Sequence, residues 1–536
     1  MPFRRHREGG DVCAIYVHAG AGFHSYANEK HHLMACADAA SVSMALLKNG
    51  GSALDAVEMA IKVFEDREIT NAGYGSNLCM DGTVECDASV VDHYGRSGAA
   101  GAVSMVKNPI GLARLILEES TRPLSLQRVP PNLLVGQGAI DYANEKGLLT
   151  VFNDHMVSRA AKERWNKWKR DLDLADEQDK QKSALGKFPD QRFTNHAPII
   201  SSSQVSTPVS PASIQSAAET PHIKSPSRPL VASTADIPDT YFDAHTKNHA
   251  RYLGVPGPSL SDPIRRVELE RHPNIDGNRA TAAYDIATDD NHPWASKRRR
   301  LSKDGSFDNA QSPLGRLAEL DSSKLDMSLA IQPTSDLQPS KHNEDHVVDT
   351  VGAIAVDCFG NIAAGSSSGG IGMKHRGRCG PAALVGIGTA VIPSDAEDPD
   401  ETSIATVTSG TGEHMATTLA AATCADRIYS SVRKARGGGL QSCTEDEAIY
   451  SVIDKEFMGH PGVKNSHCPG AIGILAVKKT RHGIMLYFAH NTDSFAVASM
   501  QSGDRKPSCV MSRSNGFGSI AQGGRLAKYR GNGVRH

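Results

Sequence analysis

Between Leu185 and Asp345 this chain of 536 residues carries 16 of its 27 prolines, many of its serines and few aromatics. Ser201-Ser202-Ser203, the stretch from Pro221 to Pro229 and Ile331-Gln332-Pro333 typify it. Such a composition cannot bury enough apolar surface to offset the entropy of ordering it, so residues 186–345 read as a disordered insertion. The parts on either side, residues 12–185 and 346–525, together suit one α/β domain that the insertion divides.

The formal net charge of −2 gives no global field for nucleic acid, and direct nucleic-acid binding is not expected. No apolar run approaches the length of a membrane span, so no membrane association is expected. The basic start, Met1 to Arg7, has no apolar stretch behind it and does not read as a secretory signal. The ten cysteines are dispersed without a CxxC pair, as in reduced thiols rather than a disulfide or zinc framework.

Where the polar segment ends, Thr350 opens the apolar, β-branched run Val351-Gly352-Ala353-Ile354-Ala355-Val356, the mark of a buried strand. Cutting the bond after Asp349 would make Thr350 a new N-terminus, with a hydroxyl nucleophile and an amine base in one residue. A free α-amine titrates near 7.7–8.0, so about a third or less is neutral at roughly pH 7.4 and able to accept the hydroxyl proton. Asp357 to Asn361 form a turn, and the returning strand brings Ser366-Ser367-Ser368 back toward Thr350.

Earlier in the chain, Ala14 to Val17 form a short strand ending in the small-residue turn His18-Ala19-Gly20-Ala21-Gly22. Helices follow from about Glu29 to Leu47 and, after a Ser52-Asp55 capping box, to about Phe64. The loop Glu65 to Ser76 could turn carbonyls toward a hard cation, and its Asn71 offers an amide to a reacting site. Asp81-Gly82 reads as a hairpin turn, Glu85 to Asp92 and Ala99 to Val106 as strands, and Ile110 to Glu119 as a helix. The charged helical pattern from His155 to about Lys182 is expected to project from the core. The basic block Lys297-Arg298-Arg299-Arg300 reads as a nuclear import signal that an import receptor could reach.

After Thr350, Arg378 in a basic loop is a candidate clamp for a carboxylate. The strand Ile404 to Thr408 runs into Ser409-Gly410-Thr411-Gly412-Glu413-His414 and a helix from about Met415 to Ser430, whose Gly-rich start suits an oxyanion hole. Ala471 to Val477 and Ile484 to His490 supply two closing strands, so both halves contribute to stacked layers.

Taken together, His18-Ala-Gly-Ala-Gly22, Thr70-Asn-Ala-Gly73, Glu85-Cys-Asp-Ala-Ser89, Asp349-Thr-Val-Gly-Ala353, Ser367-Ser-Gly-Gly370, Gly377-Arg378 and Ser409-Gly-Thr-Gly-Glu-His414 resemble the plant-type (type 2) asparaginases, which are N-terminal nucleophile hydrolases. Within them the chain looks most like the threonine aspartases (taspases), with an insertion similar in position and basic block but longer than expected.

The resemblance implies a four-layer αββα sandwich that cuts itself between Asp349 and Thr350, the resulting αβ units pairing as (αβ)2. It makes Thr350 the nucleophile and base, and Ser368 a second hydroxyl supporting it. Arg378, with Gly380 beside it, binds a substrate carboxylate, Ser409 and Gly410 fall where the oxyanion is held, and Asn71 steadies the site. The backbone carbonyls of Phe64, Glu65, Thr70, Ala72 and Tyr74 match a sodium-binding loop, and no other cofactor is implied.

In the asparaginases an aspartate follows Gly-Arg-x-Gly and pairs with the amine of a small substrate. Here the position is Pro381, and a lost charge-assisted bond is worth about 1.5–3 kcal/mol, or roughly 10- to 150-fold in affinity. A polypeptide has no such amine, so the expected activity is an endopeptidase cutting after aspartate. Its substrates are expected to be nuclear regulatory proteins, and its location nucleus and cytoplasm. Val347-Val348-Asp349 is compatible with the preference the resemblance implies, an aliphatic residue and then aspartate. Asn274-Ile275-Asp276-Gly277 resembles the family's Gln-aliphatic-Asp-Gly target with Asn for Gln, so a second, slower cut after Asp276 is expected. The competing expectations are an L-asparaginase or isoaspartyl peptidase of small substrates, and an inactive nuclear scaffold.

Overall fold

The computed structural model describes residues 12–184, 350–516 and 518–529, and all of them belong to one compact unit. In chain order the first half gives β1 (Ala14–Gly22), α1 (Glu29–Lys48), α2 (Ala53–Glu65), β2 (Cys86–Val91), β3 (Ser97–Val103), α3 (Pro109–Ser120), β4 (Leu133–Val135), α4 (Gly136–Glu145), α5 (Asn153–Met156) and α6 (Arg159–Ala184). The second half gives β5 (Val351–Val356), β6 (Ile362–Ser368), β7 (Thr389–Ile392), β8 (Ser403–Gly410), α7 (Gly412–Thr418), α8 (Ala420–Tyr429), a ribbon of β9 (Val432–Lys434) and β10 (Leu440–Ser442), and α9 (Glu445–Ser451). It ends with α10 (Pro461–Lys464), β11 (Ile472–Thr480), β12 (Gly483–His490), β13 (Ser494–Gln501), β14 (Ser508–Arg513) and β15 (Ala521–Lys528).

One sheet has eight strands in the order β14-β13-β1-β5-β6-β2-β3-β4, the other five in the order β15-β12-β11-β8-β7. Strand parity decides what each face meets. In β1, Ile15 and Val17 pack under the helical layer of α1 and α2, while Ala14 and Tyr16 face the second sheet. In β5, Val351, Ala353 and Ala355 face the helices, and Ile354 and Val356 meet Ala405, Val407 and Leu475 of the second sheet. The second sheet's far face is covered by α8 and α9 through Ala421, Cys424, Ile428 and Ile449. The result is helix, sheet, sheet, helix. The Ser52–Asp55 capping box that starts α2 is formed in both directions.

Several elements differ from the sequence reading. β1 does not end at Val17. It continues through the small residues to Gly22, bulging between His18 and Ala21, because β13 pairs along its whole length. The small side chains are needed where the sheets nearly touch, since a Cβ on Gly473 would lie 2.4 Å from that of Ala21.

The helix expected from Met415 to Ser430 is broken at Leu419, which has φ 50° and ψ 48°. The amides of Ala421 and Ala422, which open α8, donate to Ile387 and Gly386 and turn the new helix away from the old axis.

The start of α6 does not project from the core. Trp165 Nε1 donates to Cys79 O at 2.8 Å, Arg164 donates to Gly75 O at 3.1 Å, and the Trp168 ring lies on Gly372. Ala161, Arg164, Trp165 and Trp168 share one helical face, which is why a segment so charged still docks. Beyond the two strands expected at the end of the chain lie three more, β13, β14 and β15. β14 and β15 are half-buried to exposed and carry no clean apolar alternation.

Among the described residues no helix is long and apolar enough to cross a membrane. The ten cysteines are free thiols.

Candidate active site

Thr350 directly precedes β5 and is buried. Extending the strand's parity puts it on the face that Ile354 and Val356 share, the face turned to the second sheet. Ser409 near the end of β8 has the parity of Ala405 and Val407 and comes from the opposite side. Thr350 N donates to Ser409 Oγ at 3.2 Å, and Ala21 N donates to the same oxygen at 3.0 Å. The Ser409 hydroxyl thus holds the nitrogen that would become the free amine and accepts rather than donates in these two contacts, while Gly410 closes the strand at φ 147°.

Opposite β5, Val351 pairs with Ser367, which sets Ser368 beside the strand entrance. Ser368 Oγ accepts from Gly370 N at 3.0 Å. Asn71 staples the neighbouring loop: its Nδ2 donates to Gly370 O at 2.8 Å, its Oδ1 accepts from Asn77 N at 2.9 Å, and its carbonyl accepts from Gly369 N at 2.8 Å. His18 packs directly on β5, where a Cβ on Gly352 would fall 2.3 Å from His18 Nε2. Burial pushes the His18 ring down to about 3, the Thr350 backbone working weakly the other way.

Arg378 has only 16% of its side chain exposed. Its guanidinium sits among three glycines: a Cβ on Gly370 or Gly380 would come within 2.9 or 2.8 Å of Nη1, and one on Gly412 within 2.8 Å of Nη2. Gly380 N donates to Asp87 Oδ2 at 2.7 Å, and Asp87 Oδ1 accepts from Ala102 N at 2.8 Å. Burial raises the Asp87 carboxyl above its usual range, against the pull of Lys374, those two amides and Arg378. The Lys374 amine is itself buried and donates to Glu85 O at 2.8 Å.

Three participants carried no role in the sequence reading: Glu413, Asp87 and Lys374. Glu413 accepts from Arg378 Nε at 3.0 Å and Nη2 at 2.8 Å. The sequence signals were faint, a charged residue just past the Ser409 to Gly412 turn and an aspartate between Cys86 and Ala88 in a strand. The surface hollow between α1 and β14, lined by Tyr26, Leu33, Met34 and Cys509, shares no residue with this site.

Among the described residues no cluster of three or more His, Cys, Asp or Glu could hold a metal ion, which leaves carbonyls as donors. In the loop after α2, Phe64 O accepts from the Thr70 hydroxyl at 2.6 Å, and Ala72 O from Gly75 N at 3.2 Å. The carbonyls of Thr70, Arg67 and Glu68 crowd Gly75, where a Cβ would meet them at 2.0, 2.7 and 2.8 Å. The backbone oxygens of this loop are of the hard type that suits a cation such as sodium. Asp349, Asp276 and the Lys297 to Arg300 block lie outside the described residues.

A family profile described as asparaginase matches residues 12–196 and 304–482, more than half of the chain. The chain belongs to that family of N-terminal nucleophile hydrolases. Similar proteins include the isoaspartyl peptidase/L-asparaginases of Mus musculus, 38% identical over 159 residues (29% of this chain and 45% of that protein), and of Homo sapiens, 38% over 161 residues (29% and 49%). That of Danio rerio is 37% identical over 156 residues (28% and 47%). The chain thus spans about half the length of the curated relatives it matches.

Proposed function

We propose that this chain is an N-terminal threonine hydrolase that opens amide bonds on the carbonyl side of aspartyl groups, after cutting itself between Asp349 and Thr350. The observation that carries the reading is the position of Thr350, buried between the ends of two sheets with its nitrogen on Ser409 Oγ. After the cut, the neutral α-amine takes the Thr350 hydroxyl proton, and the oxygen attacks the aspartyl carbonyl. The tetrahedral adduct collapses with that proton passing to the leaving amine, and water then splits the threonine ester. Arg378 gives the aspartyl carboxylate its partner. A sodium ion held by backbone carbonyls of the Phe64 to Tyr74 loop would brace the segment that carries Asn71.

The finer reading we propose is a threonine aspartase that cuts polypeptides. Its support is Pro381, which carries no charge for the amine of a free amino acid, and the run Val347-Val348-Asp349 at the self-cut. A second reading, hydrolysis of small aspartyl amides and isoaspartyl peptides, is favoured by the names of the similar proteins. We also propose pairing of αβ units and nuclear import through the Lys297 to Arg300 block.

The first test is the intact mass of the purified protein. Two fragments meeting at Thr350 are expected from the native chain, and a single 57.1 kDa species from Thr350→Ala. An uncut native chain after long incubation would reject the hydrolase. Mature enzyme is then offered L-asparagine and a peptide of residues 344–353. Ammonia release that matches or exceeds peptide cleavage would replace the endopeptidase by the second reading.

A further inference from the structure

We infer that Glu413 is a positioning residue for substrate recognition: it holds the Nε and Nη2 edge of Arg378 so that Nη1 is presented to the carboxylate of the substrate's aspartyl group. This inference rests on the hydrolase reading above.

A guanidinium carries five donors in one plane, and a carboxylate matches an edge of two. Glu413 Oε1 takes the Nε and Nη2 donors of Arg378. Nη1 is buried with no partner in the protein. A buried charged N–H without an acceptor is costly, so the working enzyme requires an acceptor there. No side chain intervenes at three flanking positions: Gly370 and Gly380 pack on Nη1 and Gly412 on Nη2, each where a Cβ would come within 2.9 Å.

The flanking backbone also connects this edge to the nucleophile. Gly370, which flanks Nη1, donates its amide to Ser368 Oγ on the strand next to Thr350. Asp87 instead ties down the backbone around the site, its oxygens accepting amides from Gly380 and Ala102. Packing does not explain Glu413 either, since 61% of its side chain is exposed. Its carboxyl nevertheless stays below the usual range, the Arg378 charge and hydrogen bonds outweighing partial burial. It is therefore ionised throughout the neutral range and fixes the Arg378 plane, leaving the remaining edge complementary to a single carboxylate.

The experiment uses matured full-length protein, native and with Glu413→Ala or Glu413→Gln. KM and kcat are measured on the 344–353 peptide, and calorimetry reads binding of the product peptide 344–349, which needs no turnover. Glu413→Ala is expected to raise KM and weaken product binding by about 10-fold or more, with kcat within about 3-fold. Glu413→Gln keeps a carbonyl for Nε and Nη2 and is expected to restore both to within about 3-fold of native. Unchanged or tighter binding in the alanine variant would overturn the inference, as would a glutamine variant no better than alanine or a native protein that does not bind the product peptide. Native protein that binds this peptide yet hydrolyses no aspartyl substrate would overturn the hydrolase reading alone, and the binding series would still decide the role of Glu413.

Discussion

In a strand whose side chains alternate between two faces, one residue of offset would have turned Thr350 into the helical layer, away from Ser409. The chemistry proposed for it depends on that parity and on the hydroxyl that receives its nitrogen at 3.2 Å. The same packing traps His18. Its ring falls from an ordinary 6.5 to about 3 because burial disfavours the cation. Between those values the unfolded chain binds a proton that the folded chain refuses, so stability is lost as pH falls below about 6.5, by up to ~1.4 kcal/mol per pH unit. Buried His490, pushed down to about 4 by burial, adds in the same direction. His18→Gln is expected to flatten the fall in urea midpoint between about pH 6.5 and 5, whatever it does to stability at neutral pH. A slope equal to that of the native chain would reject the assignment. At this scale Thr350, Ser368, Asn71 and Arg378 were legible as types in a pattern, whereas the pairing of Glu413 with Arg378 was not, because 35 residues separate them and no local period joins them.

The helix α6 shows how an element can read as solvated and still dock. Most of its residues are charged or polar, yet Arg164, Trp165 and Trp168 lock onto the loops around Gly75, Cys79 and Gly372. Those loops are joined to each other by Met373 N to Leu78 O and Met80 N to Lys374 O. They carry Asn71 and Gly370 at their roots. Trp168 is half-buried, so Trp168→Ala is expected to cost about 1–3 kcal/mol, less than a fully buried tryptophan. It is also expected to raise KM by loosening Gly370 beside Arg378. Thermal denaturation and steady-state kinetics check both, and an unchanged midpoint would mean that the helix adds nothing to the core. The break at Leu419 was hidden for a related reason. Nothing in Ala416-Thr417-Thr418-Leu419-Ala420 forbids a continuous helix, and carbonyls from residues 386 and 387 impose the kink.

Across the whole molecule, the eight-stranded sheet interleaves the two halves of the chain. β14 and β13 come from after Thr350, β1 from before it, β5 and β6 from after, and β2, β3 and β4 from before. Cutting before Thr350 removes no strand pairing, and separating the products would strip β1 from between β13 and β5 and β6 from β2. The two fragments are therefore expected to co-elute on size exclusion in native buffer and to part only in denaturant. Separation without denaturant would show that the interleaved sheet is not what holds them. The amino-acid sequence alone determined the division into two halves, the alternation that makes buried strands and the threonine at a strand's start, since each follows from local composition and period. Tertiary structure alone decided that β13 inserts beside β1, that α6 lies on the site loops and that Glu413 meets Arg378. Each of these depends on which distant surfaces complete one another's packing and hydrogen bonds, and a one-dimensional pattern does not carry that information.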